Sequence, residues 1–268
     1  MSRAKRIAVR RWEQPDLGKA DSDSVAVEEP LEIRIRGRSI TVTMRTPGHD
    51  AELATGFLLA ESVISSRSDI IEIAPCQEGE SALHGNVLNV FLAPNVSVEL
   101  ERFSRHVFSG SSCGLCGKAA IENIHTDHSP LEDTITVPAK LLAGLPHHLE
   151  PSQDTFTKTG GLHAAGLFNE RGELLVCRED IGRHNAVDKV IGHAIRNDLD
   201  MSRCILTVSS RASFEIMQKA LAARIPVVAA VSAPSSLAVE FANSSGQILT
   251  GFTRGNRMNI YAGADRVT

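Results

Sequence analysis

The 268-residue sequence has no apolar run approaching the roughly 20 residues that a membrane-spanning helix requires. Its five cysteines are too few, and odd in number, for a secreted disulfide framework, which favours a reducing compartment. A net charge of −4 gives no reason to expect nucleic-acid binding. Arg10 and Arg11 precede Trp12-Glu13-Gln14-Pro15-Asp16 rather than an apolar segment, so they do not indicate an export signal. We therefore expect a soluble, cytoplasmic protein that binds neither membranes nor nucleic acids.

Two cysteines spaced as C-x-x-C are the most informative feature that is present. Cys113 and Cys116 stand in the segment Cys-Gly-Leu-Cys-Gly, directly before a helix-like run at residues 118–124. The N-terminus of a helix carries partial positive charge, which lowers the pKa of a thiol and favours the reactive thiolate. The intervening glycine leaves room for a large reactant to approach. Reactive sulfur is therefore our leading interpretation of this pair.

Three other interpretations of the pair stay open at this point. With His125 and His128 it forms C-x2-C-x8-H-x2-H, half of which has zinc-site spacing, although the gap between the two pairs is short for a zinc finger. A thioredoxin-like redox pair is less favoured because no strand precedes it. Two ordinary buried thiols fit poorly with glycine-rich, polar surroundings. Spacing alone does not decide among these alternatives.

The first half of the chain predicts a small α+β part. Residues 1–24 are predicted to form a basic, mobile tail, and residues 25–130 the α+β part that carries the cysteine pair. Alternating apolar residues over 31–44 predict a hairpin, and another strand is expected at 87–92. Asp50 is a candidate N-cap for a helix that follows the hairpin.

The second half, residues 131–268, is more regular and predicts an α/β domain. The expected strands cover residues 163–168, 173–177, 204–208, 227–231, 248–252 and 258–261. The expected helices cover residues 185–196, 213–224 and 237–242. Strands that alternate with helices through short connections imply parallel strands and an α/β layered sandwich.

Polar segments follow several of these strands, where ligands bind in open α/β sheets. Ser209, Ser210 and Arg211 offer hydroxyl groups and a guanidinium suited to a phosphate, although a plain N-cap at Ser213 would also explain part of the segment. The turn at residues 254–257 carries two arginines that suit a phosphate or pyrophosphate.

Two further segments have both a structural and a functional interpretation. Residues 178–189 are dense in charge, and a solvated helix start explains Asp180 and Asp188 poorly, because so many charges need partners. His163 is more simply a structural histidine in an apolar strand, although the neighbouring Gly160-Gly161 pair suggests that a ligand or loop approaches closely.

Six segments of this chain, spread over about residues 25–263, together resemble the FdhD family of accessory sulfurtransferases for formate dehydrogenases. They are CGLCG, TGGLHAAGLF, CREDIGRHNAVDK, SSRASFE, IPVVAAVSAPSS and GFTRGNRMNIY, in this order. The resemblance implies a cytidine-deaminase-like layered sandwich with a smaller N-terminal α+β part, and a homodimer. It also implies that sulfur is accepted as a persulfide from a cysteine desulfurase. The sulfur is then delivered to the molybdenum cofactor, bis-molybdopterin guanine dinucleotide, that formate dehydrogenase requires.

The resemblance also implies roles for particular residues. Cys113 matches the cysteine that carries the persulfide, and Cys116 matches its partner. GDP is expected to mimic the bound cofactor, and zinc is not expected. The stretch that matches the cofactor-binding segment consists of Phe252, Thr253, Arg254, Gly255, Asn256 and Arg257. Further cofactor-binding candidates are Ser209, Ser210, Arg211 and His184.

The sequence departs from zinc deaminases at the residues that such enzymes need. They use H-x-E and P-C-x-x-C to activate water on zinc. Here His184 occupies the first position, but Ala186 stands where the glutamate would be, and residues 209–213 contain no cysteine. A hydrolytic zinc centre cannot be built from these residues. The alternative to sulfur transfer is a zinc-stabilised guanine-nucleotide-binding module.

Overall fold

The structure is a computed structural model that describes residues 2–14, 16–77, 85–98, 128–132 and 135–268. The C-x-x-C pair, Cys113 and Cys116, lies outside the described residues, as do His125 and the predicted helical run at 118–124.

The N-terminal part contains a two-stranded hairpin, a four-stranded sheet and a helix. The hairpin pairs β1 (Ala4–Glu13) with β2 (Asp16–Ala26). The sheet consists of β3 (Glu29–Ile35), β4 (Arg38–Arg45), β5 (Ile70–Pro75) and β6 (Val87–Leu92). Its strand order is β4-β3-β6-β5. Helix α1 (Asp50–Ala60) follows β4. Alternate residues of β3 are buried, so one face of the sheet packs on the core.

The structure confirms the hairpin predicted at 31–44 and the strand at 87–92, and it corrects the prediction for Asp50. Asp50 is the first helical residue, and His49 occupies the N-cap position in the left-handed conformation. Arg45 explains the difference, because its Nε and Nη2 bind the two carboxylate oxygens of Asp50 at 3.0 and 3.1 Å. The carboxylate of Asp50 therefore binds Arg45 and does not cap the helix.

Most of the basic segment at residues 1–24, predicted to be a tail, forms β1 and β2 instead. The basic side chains of β1 face an acidic partner strand, and Arg11 binds both Asp21 and Asp23. Complementary charges across a strand pair favour the hairpin. The partners of Arg11 lie about ten residues later in the sequence, so the basic residues taken alone do not indicate a strand pair.

The second part is built on a six-stranded mixed sheet. Its strands are β7 (His163–Phe168), β8 (Leu174–Asp180), β9 (Ile205–Val208), β10 (Val227–Ala230), β11 (Ile248–Arg254) and β12 (Arg257–Ala262). The strand order is β12-β11-β10-β9-β7-β8. Strands β9, β10 and β11 are parallel, as predicted, whereas β7 runs antiparallel to both of its neighbours.

The described residues of this part form five α-helices, and four of them cover the two faces of the sheet. The five helices are α2 (Ala139–Leu149), α3 (Asp154–Thr159), α4 (Arg183–Arg196), α5 (Phe214–Ala222) and α6 (Ser236–Ser244). Every residue of β9 and β10 is buried, as expected for central parallel strands. One face of the sheet packs on α2 and the other on α4, α5 and α6. The second half is therefore an α/β layered sandwich, and the predicted elements there are confirmed within a few residues.

Helices α1 and α4 join the two parts of the chain through two glycines. A methyl group on Gly192 would lie 1.8 Å from the carbonyl oxygen of Glu52, and one on Gly56 would lie 2.0 Å from that of Asp188. The backbones of the two helices therefore touch, and only glycine permits this approach. The hydrophobic core runs without a break from the four-stranded sheet to the six-stranded sheet.

Candidate functional site

One edge of the six-stranded sheet gathers the sequence-predicted residues that the structure describes. The parallel strands β9, β10 and β11 all end at this edge. Because β7 is antiparallel to β9 and to β8, the start of β7 and the end of β8 lie there as well. Ser209, Ser210 and Arg211 follow β9, and His184 lies in the first turn of α4, directly after β8. The segment from Phe252 to Arg257 lies at the end of β11 and the start of β12. The location beyond the strand ends is the usual one for ligands in such sheets.

The segment after β9 is partly committed to the fold. The hydroxyl oxygen of Ser209 accepts the N–H of Ala164 at 2.9 Å, and the N–H of Ser209 donates to the carbonyl of Ala164 at 2.9 Å. Ser210 is buried, and its hydroxyl donates to the carbonyl of Arg211 at 3.1 Å. Arg211 itself is exposed. Of these three candidates, the guanidinium of Arg211 is the group best placed to meet a phosphate.

His184 lies between the first turns of helices α4 and α5. Its Nε2 is 2.8 Å from the carboxylate of Glu215 and 3.0 Å from the hydroxyl of Ser213. Ser213 does occupy the N-cap position of α5, but its side chain makes no capping hydrogen bond and meets His184 instead. Both partners approach the same ring nitrogen, whereas a Ser-His-acid triad requires them on opposite nitrogens. The arrangement orients the imidazole and does not activate the serine.

Glu215 is a site residue that sequence reasoning missed. The hydrogen bond from His184 lowers the pKa of Glu215 despite the opposing effect of burial, so the carboxylate is charged at neutral pH. In the sequence, Glu215 looks like an ordinary acidic residue in the first turn of a helix. Only the folding of α5 against α4 shows that it pairs with a residue 31 positions earlier.

His163 lies at the start of β7, opposite Asp180 in the sheet register. Burial, together with the positive charge of Arg183, lowers the pKa of His163. The imidazole is therefore neutral at neutral pH and adds no charge to the site. Its half-buried position at the edge of the sheet agrees with the interpretation of a structural histidine.

A surface groove of about 430 Å³ lies beside the β11–β12 turn. It is lined by Phe252, Arg254, Arg257, Met258 and Asn259. Arg254 and Arg257 are direct cross-strand partners, so their side chains leave the same end of the hairpin. Two guanidinium groups beside an exposed aromatic ring can bind a phosphorylated ligand that carries a planar base.

The remaining predicted residues of this segment have different positions. Gly255 and Asn256 form the exposed tip of the turn, where Gly255 has a φ of +57°. Thr253 is completely buried, and its hydroxyl lies 3.1 Å from that of Thr250. The side chain of Thr253 therefore faces the interior and does not line the groove.

The loop after β10 connects the groove to the segment after β9. The carbonyl of Ser232 accepts the N–H of Phe252 at 3.1 Å, and the N–H of Ser232 donates to the carbonyl of Ser210 at 3.4 Å. Strands β9 and β11 are separated by one strand, so the two clusters lie about 10 Å apart across the sheet. A single extended ligand such as a dinucleotide has the length to contact both.

The charged segment at residues 178–189 is structural. Arg178 binds the carboxylate of Glu52 through two nitrogens, at 2.6 and 2.8 Å. Asp180 and Lys189 form a buried ion pair at 2.6 Å, and a further buried ion pair joins Asp188 to Lys219 at 2.7 Å. The interpretation as a solvated helix start is thus wrong for both aspartates. These pairs fasten β8 to α1 of the N-terminal part, and α4 to both β8 and α5.

Two of the five cysteines are held as thiols by their surroundings. Burial, followed by the nearby charge of Glu179, raises the pKa of Cys177 to about 12. Burial also raises the pKa of Cys204 to about 11. Because the thiolate is the nucleophile, neither residue is suited to sulfur exchange at neutral pH.

Neither a metal cluster nor a membrane helix is found in the described part of the chain. Within residues 2–14, 16–77, 85–98, 128–132 and 135–268, no group of three or more His, Cys, Asp or Glu side chains could hold a metal ion. The same residues contain no helix long and apolar enough to span a bilayer. Of the four residues in the zinc hypothesis, His128 is described, whereas Cys113, Cys116 and His125 lie outside these ranges.

Comparison with known proteins gives consistent matches over nearly the whole chain. A model of the FdhD/NarQ family matches residues 26–268. A Streptomyces coelicolor protein named sulfur carrier protein FdhD is 52% identical over 253 residues, covering 91% of this chain and 89% of that protein. A Mycobacterium tuberculosis protein of the same name is 51% identical over 254 residues, covering 92% of each. The crystal structure of a Desulfotalea psychrophila protein proposed to be a formate dehydrogenase accessory protein matches with a TM-score of 0.79 and 23% identity, covering 100% of both chains. The last match supports the fold alone.

Proposed function

Because the chain belongs to the FdhD/NarQ family, we propose that it is a sulfurtransferase for the maturation of formate dehydrogenase. It accepts sulfur as a persulfide from a cysteine desulfurase and transfers it to the bis-molybdopterin guanine dinucleotide form of the molybdenum cofactor, which is its substrate. The observation that carries the proposal is the identity of about half the residues, over nine-tenths of the chain, to proteins named sulfur carriers. We also propose that the protein is a homodimer and is located in the cytoplasm.

The cysteine chemistry supports Cys113 and Cys116 as the residues that carry sulfur. Cys177 and Cys204 are disfavoured as nucleophiles by their raised pKa values. Cys113 and Cys116 match the sulfur-carrying motif of the family. In the proposed step, the Cys113 thiolate attacks the outer sulfur of the donor persulfide, the S–S bond of the donor breaks, and the donor leaves as a thiolate.

The groove beside β11 and β12 supports the cofactor-binding half of the proposal. Arg254 and Arg257 bind phosphate groups there, and Phe252 offers an aromatic face to the guanine. Arg211 reaches a more distant phosphate group from the next cluster along the sheet edge. A relation to the cytidine deaminase fold is part of the proposal. It is supported by the contact of His184, at the position of the first deaminase motif, with Ser213, in the segment where the second motif would lie.

The sulfur-loading half is tested by mass spectrometry. After incubation with a cysteine desulfurase and L-cysteine, the wild-type chain should carry an added sulfur on Cys113, and the total loading of Cys113→Ser should fall because the first nucleophile is lost. Cys177→Ser is the matched control and should load fully. The variant Cys113→Ser should also fail to restore formate dehydrogenase activity in cells that lack this protein. Unchanged loading of Cys113→Ser would refute the role of Cys113. Absence of loading together with bound zinc would favour the zinc-stabilised module.

The cofactor-binding half is tested with GDP as the probe. Replacing Arg254 or Arg257 with Ala is expected to weaken GDP binding about tenfold or more, because each change removes charge-assisted hydrogen bonds of about 1.5–3 kcal/mol. Isothermal titration calorimetry measures the effect. Arg171→Ala is the matched control, since Arg171 lies in the β7–β8 turn at the opposite edge of the sheet. Equal losses in all three variants would argue against a phosphate site at the groove.

A further inference from the structure

The backbone of Phe252 adopts a conformation that aromatic residues rarely take. Its φ is +51°, in the left-handed region that disfavours residues with a Cβ atom. The register of the β11–β12 pair shifts between Gly251 and Arg254, so the residues between them form a bulge. Burial of the ring does not compensate for this strain, because Phe252 is 43% exposed. Strain at an exposed aromatic residue persists only where its surroundings impose it.

Three close contacts surround Phe252 in this conformation. The N–H of Phe252 donates to the carbonyl of Ser232 at 3.1 Å. The hydroxyl groups of Thr250 and Thr253 lie 3.1 Å apart in the completely buried layer beneath the bulge. Gly251 packs so tightly that a methyl group there would lie 2.9 Å from Pro234 and 3.1 Å from the carbonyl oxygen of Ser232. The residues on both sides of Phe252 are therefore fixed, and its side chain is turned out towards the groove.

We propose that Thr250 and Thr253 are positioning residues, whose hydroxyl pair holds the strained bulge so that the ring of Phe252 is preset as a wall of the groove. Thr253 thus acts from beneath the binding surface and does not touch the ligand. The inference rests on the proposed function only where it takes a guanine nucleotide as the ligand. A ring that is preset avoids the loss of affinity that follows when only a fraction of the molecules is competent to bind.

The binding test uses the full-length chain and GDP. Thr253→Val should weaken GDP binding about tenfold if the bulge then spends about nine-tenths of the time in other conformations. Thr253→Ser keeps the hydroxyl and should bind like the wild type. Thr207→Val is the matched control, because the hydroxyl oxygen of Thr207 is buried without a hydrogen-bond partner among the described residues. If Thr253→Val does not fold, Thr250→Ser and Thr250→Val provide the same comparison.

Fluorine NMR of protein labelled with 4-fluorophenylalanine gives a readout that needs no ligand. The Phe252 resonance is identified by its absence from the spectrum of Phe252→Ala. It should be shifted or broadened in Thr253→Val and unchanged in Thr253→Ser. An unchanged resonance in Thr253→Val, with GDP affinity equal to that of the wild type, would overturn the inference. If the wild type binds no GDP, the cofactor proposal fails, and the resonance still decides whether the threonine pair holds the ring.

Discussion

Gly192→Ala is expected to lower the free energy of unfolding by about 3 kcal/mol, near the upper end of the cost of overpacking a core. The added methyl group would lie 1.8 Å from the carbonyl oxygen of Glu52, which is a backbone atom and cannot move aside as a side chain would. Helices α1 and α4 must then separate, which opens the core that joins the two sheets. Urea denaturation followed by circular dichroism measures the change as a lower midpoint at constant slope.

The same substitution elsewhere in a helix provides the control. Gly144 lies inside α2, and a methyl group there meets no heavy atom within 4 Å. Gly144→Ala should therefore stabilise the protein by about 0.5–1 kcal/mol, because alanine restricts the unfolded chain and favours the helix. The close approach of α1 and α4 would be contradicted if Gly192→Ala did not lower the free energy of unfolding, or lowered it by less than about 1 kcal/mol.

The regular elements of the second half could be predicted because their signals are local. β9 and β10 are short apolar runs bounded by polar residues, and α5 has apolar residues at helical spacing. The spacing of apolar residues that identifies a strand or a helix involves only residues close together in the chain. The hairpin of β1 and β2 was missed because its support comes from charges about ten residues apart.

The site could be predicted only as a set of strand ends. The parallel order of β9, β10 and β11 brings residues 209–211 and 252–257 to one edge, as the pattern indicated. Contacts between residues that are far apart in the sequence leave no local pattern from which they could be predicted. Arg178 pairs with Glu52 across 126 positions, and His184 pairs with Glu215 across two helices. The left-handed conformation of Phe252 was also hidden, because a phenylalanine gives no sign that its backbone is strained.

Lys189→Met is expected to cost about 3–5 kcal/mol, because removal of one partner of a buried ion pair leaves the other charge uncompensated. The ammonium of Lys189 lies 2.6 Å from the carboxylate of Asp180 and donates to the carbonyl of Thr46 at 2.8 Å. Asp180 is fully buried and also accepts the backbone N–H of Thr46 at 3.2 Å. One lysine thus satisfies groups from both parts of the chain.

The free energy of unfolding of Lys189→Met, from urea denaturation, checks this expectation. Lys158→Met is the control, since Lys158 is exposed on α3 and its loss should change stability by less than about 0.5 kcal/mol. A small effect of Lys189→Met would mean that water reaches Asp180 and that the ion pair is not sealed. A large effect would show that this ion pair is sealed from water and that its contacts with Thr46 help to hold the two parts of the chain together.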